Sequence, residues 1–249
     1  MTDLVLREQR GAAVHLVLNR PDKLNSLNVP LFQALDAHVR DIAAKPAGVA
    51  VVVVRGAGRC FSAGHDLGDI AVGERLPEPN FQSKVIERLA ALPLPVISAV
   101  HGHCYTGALE LALAADIILA AESAKFADTH ARWALTPVWG LSQRLPRRVG
   151  TSKAREMMFT CRTYSGREAE AMGLANACFP DETFLESVDA WVAEIAANSA
   201  FSHAANKRLL EATDARDMDS GLQWEILNNE GVGPDMQARI GAFMGKSKT

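Results

Sequence analysis

The sequence predicts an α/β fold, and three observations point there. Short β-branched runs alternate with stretches of helical periodicity over the first two-thirds of the 249 residues. From residue 142 onward the pattern is almost entirely helical. No fixed-period repeat, low-complexity block or Ser/Gly linker divides the chain, which favours one core domain with a helical C-terminal extension.

The elements follow in order. Residues 4–8 and 13–18 read as two short strands joined by a turn at Arg10 and Gly11. Asn28 supplies the N-cap of a helix running to about Ala44, with Leu31, Leu35, Val39 and Ile42 at helical spacing. A buried strand is expected over 49–54, bounded by Gly48 and Gly56, and then a loop over 56–65 carrying Gly56, Gly58 and Gly64. Asp66 caps a short helical turn, and 73–80 is an exposed, flexible connection. Residues 81–92 have amphipathic helical spacing; 95–100 read as a strand, 108–115 as a short helix and 117–120 as a strand. In the helical last third, Ser165-Gly-Arg-Glu168 fits a capping box. The core is expected over 1–195 and the helical extension over 196–249.

Composition limits the function. With 48% hydrophobic and 22% charged residues the chain is not largely disordered, and a net charge of −3 provides no global field for nucleic acid. The longest unbroken aliphatic run, 49–54, falls far short of a membrane span. Asp3, Arg7, Glu8 and Arg10 break any signal-peptide pattern. Cys60, Cys104, Cys161 and Cys178 form no CxxC pair and read as reduced thiols of a cytoplasmic protein.

Three segments have residues suited to chemistry. In the first, Gly56 and Gly58 follow a strand as in a dinucleotide loop, but Phe61 stands where the third glycine is needed. Its tail, Ser62-Ala-Gly-His-Asp66, is more specific, because Gly64 permits a twist that turns the His65 amide outward to polarise a carbonyl. In the second, a strand runs through His101-Gly-His-Cys-Tyr-Thr-Gly107 into a helix whose N-terminus offers the Gly107 amide to developing negative charge. Glu110 is a carboxylate among Ala and Leu: either a solvated side chain or a functional one. A metal site at His101, His103 and Cys104 lacks a second ligand cluster, so no metal is expected. No G-x-S-x-G signposts a hydrolase. The third segment, 125–140, holds Asp128, His130, Trp133 and Trp139. His130 alone reads more readily as a structural histidine, Asp128 as a turn cap, and the tryptophans as core or as blocks in a tunnel.

Together these segments resemble the enoyl-CoA hydratase/isomerase (crotonase) family. The matching marks are Asn19-Arg-Pro-Asp-Lys-Leu-Asn-Ser-Leu27, Phe61-Ser-Ala-Gly-His-Asp-Leu67, 102–116, and 126–150 with Gln143-Arg-Leu-Pro at its centre. Segments 165–173 and 242–248 extend the likeness. The resemblance implies a spiral of ββα units with a helical C-terminal layer that forms trimers, commonly paired into hexamers. It also implies a coenzyme A thioester as substrate, a place in fatty acid metabolism, and no metal or redox cofactor. By position, the backbone amides of His65 and Gly107 form an oxyanion hole. Lys23, Leu24, Ala63, Gly64 and Asp66 line the CoA groove, with Lys23 either meeting a phosphate or simply exposed.

Hydratases of this family use two glutamates around one water. Glu110 falls on the first, whereas His130 stands at the second. The expected reaction is therefore hydration of a trans-2-enoyl-CoA with Glu110 and His130 as the catalytic pair. The alternatives are decarboxylation, with the His65 side chain binding a substrate carboxylate although Pro137 replaces the expected tyrosine, double-bond isomerisation, or acyl-CoA binding without turnover. Acyl-chain length is not readable from the sequence.

Overall fold

The structure, a computed structural model, describes residues 3–46, 48–213 and 216–246; Ser247 and Lys248 of the C-terminal match lie outside them. Strands β1 (Val5–Arg10) and β2 (Ala13–Leu18) form the expected hairpin, and α1 (Val29–Ala44) starts where Asn28 accepts from the Leu31 amide at 3.1 Å. Then come β3 (Val51–Gly56), α2 (Leu67–Val72), α3 (Phe81–Ala90), β4 (Val96–Val100), β5 (His103–Tyr105), α4 (Gly107–Ala112), β6 (Ile117–Ala121) and β7 (Lys125–Ala127). Helix α5 (Leu141–Thr160) is interrupted at Gly150, where φ is 77°. The chain continues through β8 (Tyr164–Ser165), α6 (Gly166–Ala171), β9 (Ala177–Phe179), α7 (Phe184–Ala196), α8 (Ala200–Glu211), α9 (Met218–Asn228) and α10 (Met236–Lys246).

The strands form a six-stranded sheet in the order β1-β2-β3-β4-β6-β9 and a three-stranded sheet β5-β7-β8. From β2 to β9 every pairing in the large sheet is parallel. After β4 and again after β6 the chain steps into the small sheet before turning into a helix, so the ββα unit repeats as a spiral. Parallel strands expose their C-terminal ends at one edge. The loop leaving β3 meets those leaving β5 and β7, the parallel pair of the small sheet, at one cleft.

Both faces of the large sheet are covered, which explains the unbroken apolar run of β3. Val52 and Val54 enter the main core with Leu16, Phe32 and Leu109, while Val51 and Val53 pack toward Phe184, Val188 and Val192 of α7. The sequence expectation of an almost purely helical last third needs correction. Strands β8 and β9 lie within it, and β9 closes the large sheet against β6. They are two and three residues long, too short for a period-2 pattern to register. The helix expected over 108–115 ends at Ala112, and the capping box at Ser165 and Glu168 opens α6. Among the described residues no helix is long and apolar enough to cross a membrane, and all four cysteines are free and buried.

Candidate active site

The site begins with how loop 56–66 is held. Leu24 and Asn25 adopt left-handed backbone (φ 51° and 52°), which turns segment 20–27 back on itself. Asn25 is fully buried; its Nδ2 donates to the Ala57 and Cys60 carbonyls, both at 2.8 Å, and its Oδ1 accepts from the Arg20 amide. The Ala63 amide donates to the Leu24 carbonyl, the Leu27 amide to that of Gly64, and the Asp66 amide to that of Leu27. Gly64 has φ 101°, and a β-carbon there would stand 2.5 Å from the Tyr105 carbonyl oxygen, so both conformation and space require glycine. With its neighbours bonded to segment 24–27, the His65 amide donates to no acceptor among the described residues.

The second loop arrives at the same place. Thr106, a β-branched residue, takes φ 53° and ψ −108°, a strained combination. It is held by its own amide bond to the Ala127 carbonyl and by the Thr129 amide, which donates to its Oγ1. This kink starts α4 at Gly107, whose amide likewise has no protein acceptor among the described residues. A β-carbon on Gly107 would lie 3.3 Å from the His65 amide nitrogen, so the two free donors are neighbours.

Glu110 sits one turn further along α4, 1% exposed. Its Oε1 accepts from the Trp139 amide at 2.8 Å and the Leu141 amide at 3.2 Å. Burial raises its pKa above the ordinary carboxylate value, with those two amides and His130 opposing and Asp128 reinforcing the shift. Its Oε2 lies 3.8 Å from His130 Nε2. On the other side of that ring, Nδ1 lies 2.7 Å from the buried Asp128 Oδ1, which also accepts the His130 amide. Asp128, His130 and Glu110 thus form a buried row whose last two members face a cleft of about 390 Å³. Ala63, His65, Gly107 and Trp139 line the same cleft.

The enoyl-CoA hydratase/isomerase profile matches residues 8–245. The chain belongs to the enoyl-CoA hydratase/isomerase family. That makes it an enzyme of the family, a lyase or isomerase. It is 37% identical, over 69% of its length, to an Arabidopsis thaliana protein named a probable peroxisomal enoyl-CoA hydratase, and spans 64% of that relative. It is 29% identical to the 1,2-epoxyphenylacetyl-CoA isomerase of Escherichia coli, over 99% of this chain and 97% of the relative. A solved enoyl-CoA hydratase from Bacillus anthracis superposes with a TM-score of 0.90 at 32% identity, covering 98% of this chain and 96% of that one.

The sequence candidates divide into two groups. His65, Gly107, Glu110, His130 and Ala63 meet in the cleft. Lys23, Leu24, Gly64 and Asp66 do not line it. Lys23 is exposed beside Leu24, whose carbonyl clasps Ala63. Asp66 caps α2 by accepting from the Gly68 amide. Burial favours its neutral form, but hydrogen bonds from Ser26 and Arg20 outweigh that and hold its pKa low. His101, His103 and Cys104 diverge: His101 meets the Gly58 carbonyl, the His103 ring lies by Tyr105 and Cys104 is buried.

Three features were not read from the sequence. Asp128 is a partner of His130 rather than only a turn cap, and the two-residue spacing was the available signal. Glu74, expected on an exposed connection, folds inward until its Oε2 is 2.8 Å from His65 Nε2, and it also accepts from Gln82. Trp139, 3% exposed, is both core and cleft wall, lying against Phe32, the His65 ring and Gly107.

Proposed function

We propose that this cleft hydrates a short-chain trans-2-enoyl-CoA to its 3-hydroxyacyl-CoA, through an enolate held at the thioester oxygen. One observation carries the reading: a buried carboxylate stands beside two adjacent main-chain amides that bond no acceptor among the described residues. The amides of His65 and Gly107 donate to the thioester oxygen, each contributing about 3–4 kcal/mol as negative charge develops. Glu110 takes a proton from water while the water oxygen bonds to Cβ. His130, steadied at Nδ1 by Asp128, delivers a proton from Nε2 to Cα as the enolate collapses. The hydroxyl ends on Cβ, one proton on Cα and one on Glu110. Proton return from Glu110 to His130, across the 3.8 Å between them, resets the pair.

The remaining parts support this reading. Ala63 lines the cleft and is fastened to the Leu24 carbonyl; CoA is placed along this segment, outside the cleft itself, with Gly64 in its turn, exposed Lys23 available to a phosphate and Asp66 capping the helix that follows. Coenzyme A is part of the substrate, and the chemistry requires no other cofactor. Trp139 lies against Gly107 and lines the cleft, and its bulk there supports the choice of a short acyl chain. Helices α8, α9 and α10 expose Leu210, Ile226, Leu227, Phe243 and Met244, apolar surface suited to a homotrimer or a dimer of trimers. We place the enzyme in the cytoplasm, in the metabolism of acyl thioesters.

The test uses crotonyl-CoA. The chain should yield a product heavier by one water, more slowly than an enzyme with two glutamates, and Glu110→Gln should slow it by roughly 10²- to 10⁴-fold. Hydration by that variant at the parent rate overturns the assignment. Double-bond isomerisation is the second reading, favoured because a single carboxylate can remove and return one proton; its product would keep the substrate's mass. Decarboxylation is disfavoured, because the Glu74 carboxylate stands 2.8 Å from the His65 Nε2 that would bind a substrate carboxylate, and would repel that group.

A further inference from the structure

We propose that Arg144 is a positioning residue for Glu110, acting through the main chain of Trp139, whose carbonyl it binds and whose amide donates to Glu110. The inference rests on the reading of Glu110 as the base, and extends it to a residue that has no contact with Glu110 itself.

Three links carry it. Glu110 Oε1 is held by the amides of Trp139 and Leu141, which flank Gly140 at the start of α5. The carbonyl of that same Trp139 accepts from Arg144 Nη1 at 3.1 Å. Arg144 Nη2 in turn donates to Glu87 Oε1 on α3 at 2.8 Å. A charge-assisted bond at a residue's carbonyl fixes the turn in which its amide lies. The guanidinium fits because residue 140 is glycine: φ there is 107°, and a β-carbon would collide with Arg144 Nη1. The turn that grips Glu110 is therefore fastened from outside the cleft to a second helix.

Loss of the clamp frees the turn, weakens donation to Oε1 and leaves more of the burial cost of the Glu110 charge uncompensated. The groups facing that carboxylate are the two amides, His130 on the far wall and Asp128 behind it. Only the amides depend on Arg144. The proton affinity of Glu110 should rise, and the acid limb of kcat/KM should move to higher pH.

The experiment compares the parent, Arg144→Gln, Arg144→Lys and Glu87→Gln. It follows kcat/KM against pH on crotonyl-CoA, the melting temperature, and the titration of the Glu110 carboxyl by carbon NMR of glutamate-labelled protein. For Arg144→Gln we expect a shift of about one pH unit, a tenfold change in proton affinity, with kcat falling more than KM changes. Arg144→Lys and Glu87→Gln should shift less in the same direction; Glu87→Gln serves if the arginine variants do not fold. A lower melting temperature with unmoved limb and unmoved NMR titration overturns the proposal, as does no change in any of them. The NMR arm needs no turnover. A shifted titration in a protein that fails to hydrate crotonyl-CoA sustains the clamp while rejecting the proposed reaction.

Discussion

On one wall of the cleft the polar atoms are main-chain amides; on the other they are side chains. The amides of His65 and Gly107 are set by backbone conformation, through Gly64 at φ 101° and Thr106 at φ 53°. Glu110 and His130 are set by hydrogen-bond partners: the Trp139 and Leu141 amides for one, Asp128 for the other. The first wall is sensitive to added bulk at Gly64 and Gly107, where a β-carbon would stand 2.5 Å from the Tyr105 carbonyl oxygen or the Trp139 ring, respectively. The second is sensitive to lost partners, because a buried carboxylate or imidazole depends on groups that hold it.

The sharpest break of this contrast is Glu110→Gln. It should lower kcat/KM by roughly 10²- to 10⁴-fold, the usual scale for a general base, measured by initial rates on crotonyl-CoA. The same change should raise the melting temperature at neutral pH. Burial raises the folded pKa of Glu110, so the stability present below the ordinary glutamate pKa is lost as pH rises through the folded value. Glutamine carries no such cost. In the parent, kcat/KM should fall on acidification with a limb above the ordinary carboxylate range.

Gly107→Ala tests the backbone wall without removing any functional group. The new methyl would stand 2.5 Å from the Trp139 ring, and displacing the amide should cost about 10²- to 10³-fold in kcat, as loss of one oxyanion donor does. Asp128→Asn should cost less, roughly ten- to a hundredfold, through a misoriented imidazole, and more in kcat than in KM. The smallest effect is expected for Trp139→Phe. By trimming a wall of the cleft it should improve the kcat/KM of six-carbon relative to four-carbon enoyl-CoA by a few-fold to about tenfold, the scale of one or two methylenes in a pocket.

Much of the fold was legible because local signals agreed with it. The Asn28 cap, the Val run of β3 and the Ser165 capping box all mark elements that the structure contains. The short strands β5, β7, β8 and β9 were not, since two or three residues cannot display a period. At the site, glycine and carboxylate positions were readable because few residue types tolerate those environments. Glu74 gave no signal: its neighbours are polar and irregular, and only the folded chain brings it to His65.

By itself the sequence determined which residues can twist the backbone, cap a helix or ionise, and in what order they come along the chain. Tertiary structure alone decided that Gly107 lies against His65, that Glu110 is gripped by the turn at 139–141, and that His130 stands 3.8 Å from Glu110. Local preferences act over a few residues. Burial and hydrogen-bond geometry depend on chain segments far apart in sequence, which only the closed spiral brings within 3 or 4 Å.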